Sequence, residues 1–167
     1  RIIAIILLSY VSHITLNFPI SRDLSSEENI IVHEEEKALM VLTIPKIKFK
    51  GNIYSKKSNL NDIDKNIIIM NESDYPDKDN GIVIIGGHSG IGELAYFKDL
   101  NKLVIGDDVT IEYNEEVYSY ILVNSYLDDK NGSIMINNSN GQKKLFLYTC
   151  NPHDKKNYLI LVFESNS

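Results

Sequence analysis

The sequence predicts a mainly-β domain, a closed or nearly closed barrel of about eight short strands with one or two short helices. Three observations carry that reading. Short runs rich in Val, Ile, Leu, Tyr and Phe recur from residue 42 to residue 163. Turn chemistry separates them: Gly106-Asp107-Asp108, Glu115-Glu116, Asn131-Gly132 and Asn140-Gly141 all interrupt apolar segments. Beyond Ile105 the chain reads as hairpins with almost no helix, so a repeating strand–helix alternation is excluded.

Each element has its own signal. Residues 42–49 alternate and carry Pro45, which suits an edge or first strand, and 52–55 continue it after Gly51. Residues 60–70 fit a short helix or a buried strand equally. The run GIVIIGG at 81–87 is continuous, apolar and β-branched, the pattern of a central strand. Residues 93–103 have helical period, with Leu94, Phe97, Leu100 and Leu103 on one face. Residues 109–113 and 117–126 form a hairpin around Glu115-Glu116. A polar stretch spans 127–143, and 144–150 and 158–164 are the last two strands, joined by the loop 151–157.

The N-terminal part differs in character. Residues 2–18 are mostly apolar, follow Arg1 and lack an initiating Met, so the chain is expected to be a fragment. Residues 1–20 are expected to form an apolar helix, the outer part of a single-pass membrane anchor. The alternative is a packed amphipathic helix, with Ser9, His13 and Asn17 as its polar stripe. Residues 21–38 are polar and acidic, ending in Glu34-Glu35-Glu36, and read as a linker or a lid-like helix capped near Ser25 or Ser26. Residues 39–167 are then the globular domain.

Composition narrows the function classes. The chain has 167 residues, a net charge of −6 and no basic block, which argues against nucleic acid as a partner. A hydrophobic fraction of 43% supplies a core without stapling by disulfides or metals. The single cysteine, Cys150, allows no internal disulfide and is either a buried small hydrophobe or a reactive thiol. It stands where a strand ends, and Asn151-Pro152 breaks the ladder after it, which favours exposure at a barrel rim. His88 ends the strand 81–87 in the same way, with Gly86 and Gly87 removing side chains beside it. A thiolate needs a cation or proton acceptor within reach, and a histidine supplies either. A hydrogen-bonded surface histidine is the plain alternative.

The segments VIIGGHSG and LFLYTCNP resemble the two signatures of the sortase family, a strand ending in G-H and a strand ending in T-L-x-T-C. Phe146 stands where that second signature has a threonine. LTIPKIKFKGNIY and ELAYFKDLNKLVIGDDVTIEYNEEVYSYIL are similar to the family's flanking blocks, so the likeness runs from Leu42 to Phe163. It implies the eight-stranded sortase barrel and a cysteine transpeptidase. Cys150 would attack the threonine carbonyl of an LPxTG-like sorting signal and form a thioacyl intermediate, which an amine of a cell-wall precursor or a pilin lysine resolves. His88 would act as acid and base, Thr149 would support the cysteine and border the substrate groove, and no cofactor or metal is implied. The resemblance also places the catalytic domain outside a Gram-positive cell membrane.

One family position departs. The arginine at the start of the last strand aligns with Tyr158, and no arginine occurs after Arg22. Tyr158 offers one hydroxyl donor without charge or fork, and losing one oxyanion donor typically costs about a hundred- to a thousandfold in rate. Lys156, two residues earlier, is the candidate replacement cation. The alternative function is therefore a catalytically weak or inactive barrel that binds sorting peptides or a partner. Two other patterns carry less. Cys150 and His153 form C-x-x-H, too few ligands for a structural zinc site. Gly90-Ile91-Gly92-Glu93-Leu94-Ala95 spells a dinucleotide fingerprint but lacks the βαβ context that it requires.

Overall fold

A computed structural model describes residues 36–131, 136, 141–154 and 156–166. The expected anchor helix at 1–20 and nearly all of the polar segment 21–38 lie outside the described residues. Among the described residues no helix is long and apolar enough to cross a membrane.

Eight strands form one mixed sheet that curls into a nearly closed barrel. In chain order they are β1 (Met40–Ile44), β2 (Phe49–Ile53), β3 (Ile68–Ile69), β4 (Ile82–Gly86), β5 (Asp108–Tyr113), β6 (Glu116–Asp129), β7 (Lys144–Cys150) and β8 (Asn157–Ser165). Their spatial order is β2-β1-β5-β6-β8-β7-β4-β3. All neighbouring pairs are antiparallel except β4 and β7, which run parallel from Ile82↔Lys144 to Gly86↔Tyr148. The parallel pair sets the C-terminal ends of β4 and β7 side by side; Cys150 is the last residue of β7, and His88 follows the end of β4 by two residues.

The strands at the centre are apolar on both faces because both faces are covered. Val83 and Ile85 of β4, Leu145 and Leu147 of β7, and Leu161 and Phe163 of β8 point into the barrel core. Their alternates Ile84, Phe146, Ile160 and Val162 form a second buried cluster on the outer face, flanked by Met70, Tyr126, Tyr148 and Tyr158. That two-sided burial explains the unbroken apolar runs in the sequence. The strands β1 and β5 show the opposite pattern, alternating buried and open positions in the manner of strands covered on one side.

The local departures from the sequence reading have identifiable causes. The expected strand 42–49 breaks at Pro45, where a 3-10 helix (Pro45–Ile47) and Lys48 at φ 52 turn the chain into the β1–β2 hairpin. Of the ambiguous stretch 60–70 only β3 is extended, and the Asn61 side chain bonds both the N–H and the C=O of Ile69, blunting that sheet edge. The expected helix at 93–103 resolves into successive i→i+3 turns ending in a 3-10 helix, Leu100–Lys102. Its ladder cannot form because Phe97 donates its N–H to the carbonyl of His88 at 2.9 Å instead of to the preceding turn. Leu94, expected on the buried face, is 41% exposed. These two 3-10 helices are the helical elements among the described residues.

The strand β6 is longer than expected, and a register shift between Leu122 and Asn124 bends it. Its first half pairs with β5 and its second half with β8, down to Asp128↔Tyr158 and Asp129↔Asn157. The end of β6 is thereby delivered to the same rim as Cys150.

Candidate active site

The ends of β4 and β7 are laced together by three hydrogen bonds. Gly87 donates its N–H to the carbonyl of Tyr148 at 3.2 Å. Thr149, 2% exposed, donates its hydroxyl to the carbonyl of Gly87 at 2.7 Å. Ser89 donates its hydroxyl to the carbonyl of Cys150 at 2.6 Å. The paired register ends at Gly86↔Tyr148, and the Ser89 bond keeps the chain on either side of His88 beside the end of β7.

Close approach around that junction depends on the two glycines. A Cβ on Gly86 would collide with the Tyr148 ring, which lies over it on the outer face. A Cβ on Gly87 would stand 2.8 Å from Phe97, which packs from the core side. The Tyr148 hydroxyl donates to the sulfur of Met70 at 2.9 Å, and burial weakens it as an acid, raising its pKa to about 12. A phenol held neutral in this way is a wall of the site rather than an acid–base group.

Cys150 is half-buried and opposes Tyr158 directly across β7 and β8. The Tyr158 ring meets Tyr148 edge-on, with centroids 5.9 Å apart. After Cys150 the chain turns: Asn151, 6% exposed, donates its N–H to the carbonyl of Asn157 and accepts from the N–H of His153. Asn151-Pro152 does end the ladder, as the sequence indicates.

The cation at the thiol comes from another element. Lys130, the first residue after β6, donates from Nζ to the Cys150 sulfur at 3.0 Å. The same ammonium sits over the Tyr158 ring, 5.0 Å from its centroid. Lys156, the expected replacement, is exposed and engages through its backbone: its N–H donates to the Asp154 carboxylate, and its carbonyl accepts from the N–H of Lys130. Nothing in the local sequence marks Lys130, since its position depends on the β6–β8 register.

The imidazole Nε2 of His88 lies 3.2 Å from the Asp64 carboxylate. Asp64 belongs to a turn closed by Asp62, whose carbonyl accepts from Lys65 and Asn66. The Asp64 side chain is 82% exposed, so this pair orients the ring with little energetic hold. Asp64 carries no local sequence signal either, lying 24 residues from its partner. His153 is exposed, and among the described residues no cluster of three or more His, Cys, Asp or Glu converges on a metal position.

The rim thus holds a thiol in contact with an ammonium, with an imidazole in the segment that follows the adjacent strand, bonded to Asp64. Such a set can perform nucleophilic acyl transfer. A sortase-domain family model matches residues 42–165. Among curated proteins, the chain is 27% identical over 119 residues to Sortase D of Bacillus subtilis (strain 168). That match covers 71% of this chain and 57% of the relative, so the chain spans little more than half of that protein's length. Among solved structures, a lid mutant of sortase A from Corynebacterium diphtheriae superposes with a TM-score of 0.70 at 18% identity, covering 81% of this chain and 73% of that one. Sortase C1 from Streptococcus agalactiae gives 0.64 at 24% identity, covering 76% and 66%. At these identities the structural likeness speaks for the fold, and the domain match for the family: the chain belongs to the sortase family.

Proposed function

We propose that this chain is a sortase-type cysteine transpeptidase of weak intrinsic activity, which binds an LPxTG-like sorting signal at the rim that carries Cys150 and turns it over slowly there. The hydrogen bonds that join the chain around His88 to the end of β7, where Cys150 stands, support the transpeptidase half of this reading. The weak activity rests on Tyr158 at the family's arginine position and on an imidazole whose Nε2 faces Asp64.

In the reaction, the Cys150 thiol gives its proton to His88 and the sulfur bonds to the threonine carbonyl carbon. The carbonyl electron pair moves to oxygen. Collapse re-forms the carbonyl and breaks the C–N bond, and His88 returns the proton to the leaving amine. An incoming amine, from a cell-wall precursor or a pilin lysine, then loses its proton to His88 and displaces the sulfur. Residues 1–20 would tether this domain at the outer side of a cell membrane.

The second reading is a barrel that binds sorting peptides or a partner without turnover. The same two observations favour it, taken to their limit. Peptide cleavage and transfer separates them: purified protein, a quenched LPxTG-type library and added amine acceptors, with Cys150→Ala and Tyr158→Arg alongside. Slow, cysteine-dependent cleavage that rises with amine establishes the enzyme. Peptide binding with no cleavage in either the native chain or Tyr158→Arg establishes the binding module.

A further inference from the structure

The strands β6, β8 and β7 are consecutive in the sheet, and Cys150 on β7, Tyr158 on β8 and Lys130 just after β6 form a tight cluster at the rim. Across β8 and β7, Tyr158 opposes Cys150; across β6 and β8, Asp128 opposes Tyr158. Lys130 comes two residues later, and its N–H donates to the Lys156 carbonyl at 3.1 Å. The backbone that presents Lys130 is therefore tied to the chain entering β8. From there its ammonium reaches both the sulfur, at 3.0 Å, and the Tyr158 ring face, at 5.0 Å.

The geometry points to Lys130 as a catalytic cation of this site, with Tyr158 as the aromatic shelf that positions it. The inference rests on the transpeptidase reading above. A family arginine would reach the reacting carbonyl from β8; here β8 presents a ring, and the positive charge arrives over that ring from β6. A lysine is a compact charge with rotatable donors and lacks the planar fork of arginine, so it can track charge from one atom to the next. It faces the thiolate after His88 takes the proton. When the S–C bond forms and the electron pair moves to the carbonyl oxygen, the same ammonium donates to that oxyanion. Its own protonation does not change, and atoms and electrons balance without it. The cation–π contact replaces the second hydrogen bond of a fork in holding the group in place. A compact charge in place of a fork also accounts for a catalyst that is slow rather than dead.

The test compares the native chain with Lys130→Met, Lys130→Arg and Tyr158→Leu. Two readouts are needed: alkylation of Cys150 by anionic iodoacetate against neutral iodoacetamide, and steady-state peptide cleavage. Lys130 is exposed, so all variants at that position are expected to melt with the native chain. Lys130→Met is expected to lower the iodoacetate-to-iodoacetamide rate ratio severalfold and kcat by about a hundredfold, with KM little changed. Lys130→Arg is expected to restore most of both, and Tyr158→Leu to fall between. An unchanged alkylation ratio in Lys130→Met overturns the inference, as does cleavage within about threefold of native. A ratio that falls while the native chain cleaves no peptide keeps the Lys130–Cys150 pair and sinks the transpeptidase reading, together with the oxyanion role.

Discussion

Thr149→Val is the substitution that most directly probes how the site is assembled. The Thr149 hydroxyl donates to the Gly87 carbonyl at 2.7 Å, and both residues are buried. Valine preserves the β-branched shape and removes the donor. The Gly87 carbonyl would then lose this partner where water does not reach, at a cost of about 1–3 kcal/mol. The extra methyl recovers part of this through added apolar burial, at most about 0.8 kcal/mol. From the middle of that range a net loss of about 1 kcal/mol remains, which corresponds to a fall in Tm of roughly 2–8 °C for a domain of this size. Calorimetry of the native chain, Thr149→Val and Thr149→Ser measures it. The serine variant keeps the hydroxyl and loses one methyl, so it should destabilise while leaving the Cys150 alkylation rate within about twofold of native. The valine variant should change that rate as well, because the bond ties the strand end that carries Cys150 to the one that carries His88. A valine variant as stable as the native chain, with unaltered alkylation, would mean that this bond does not hold the two strand ends together.

Gly86→Ala places a methyl group against the Tyr148 ring and should cost about 1–3 kcal/mol by overpacking, with Tyr148→Ala relieving most of it in the double variant; denaturant midpoints measure both. Acid stability should depend on Asp74, whose carboxylate is held below its ordinary value of 3.8 by the Lys78 ammonium first and by the N–H of Ile82 second. A depressed folded value means that its contribution is whole above 3.8 and is lost as pH falls through the folded value, so Asp74→Asn should flatten the acid limb of the urea midpoint against pH.

Much of the architecture is legible in the sequence because burial on both faces writes unbroken apolar runs. β4, β7 and β8 are recognisable from Gly81–Gly87, Lys144–Cys150 and Tyr158–Glu164 for that reason. The ends of those strands, and hence Cys150 and His88, are marked by Asn151-Pro152 and Ser89-Gly90. Periodicity misleads at 93–103, where apolar spacing compatible with a helix belongs to a chain of turns pinned by the carbonyl of His88. The hairpin at Pro45 is hidden because alternation continues across the break. Lys130 and Asp64 are beyond reach for a different reason: each meets its partner through a register or a long connection that no local pattern encodes. Tyr158 shows the value of a departure from pattern. Its place where the resemblance expects an arginine is readable, while the arrival of the Lys130 ammonium over its ring requires the pairing of β6 with β8.

Acyl transfer through Cys150 leaves its plainest trace in intact-protein mass spectrometry during incubation with an LPxTG-type peptide. A cysteine-dependent thioacyl adduct is expected to accumulate slowly, to be absent from Cys150→Ala and to disappear when an amine acceptor is added, with the matching amide product released. Peptide bound without any adduct, in the native chain and in Tyr158→Arg alike, would contradict acyl transfer.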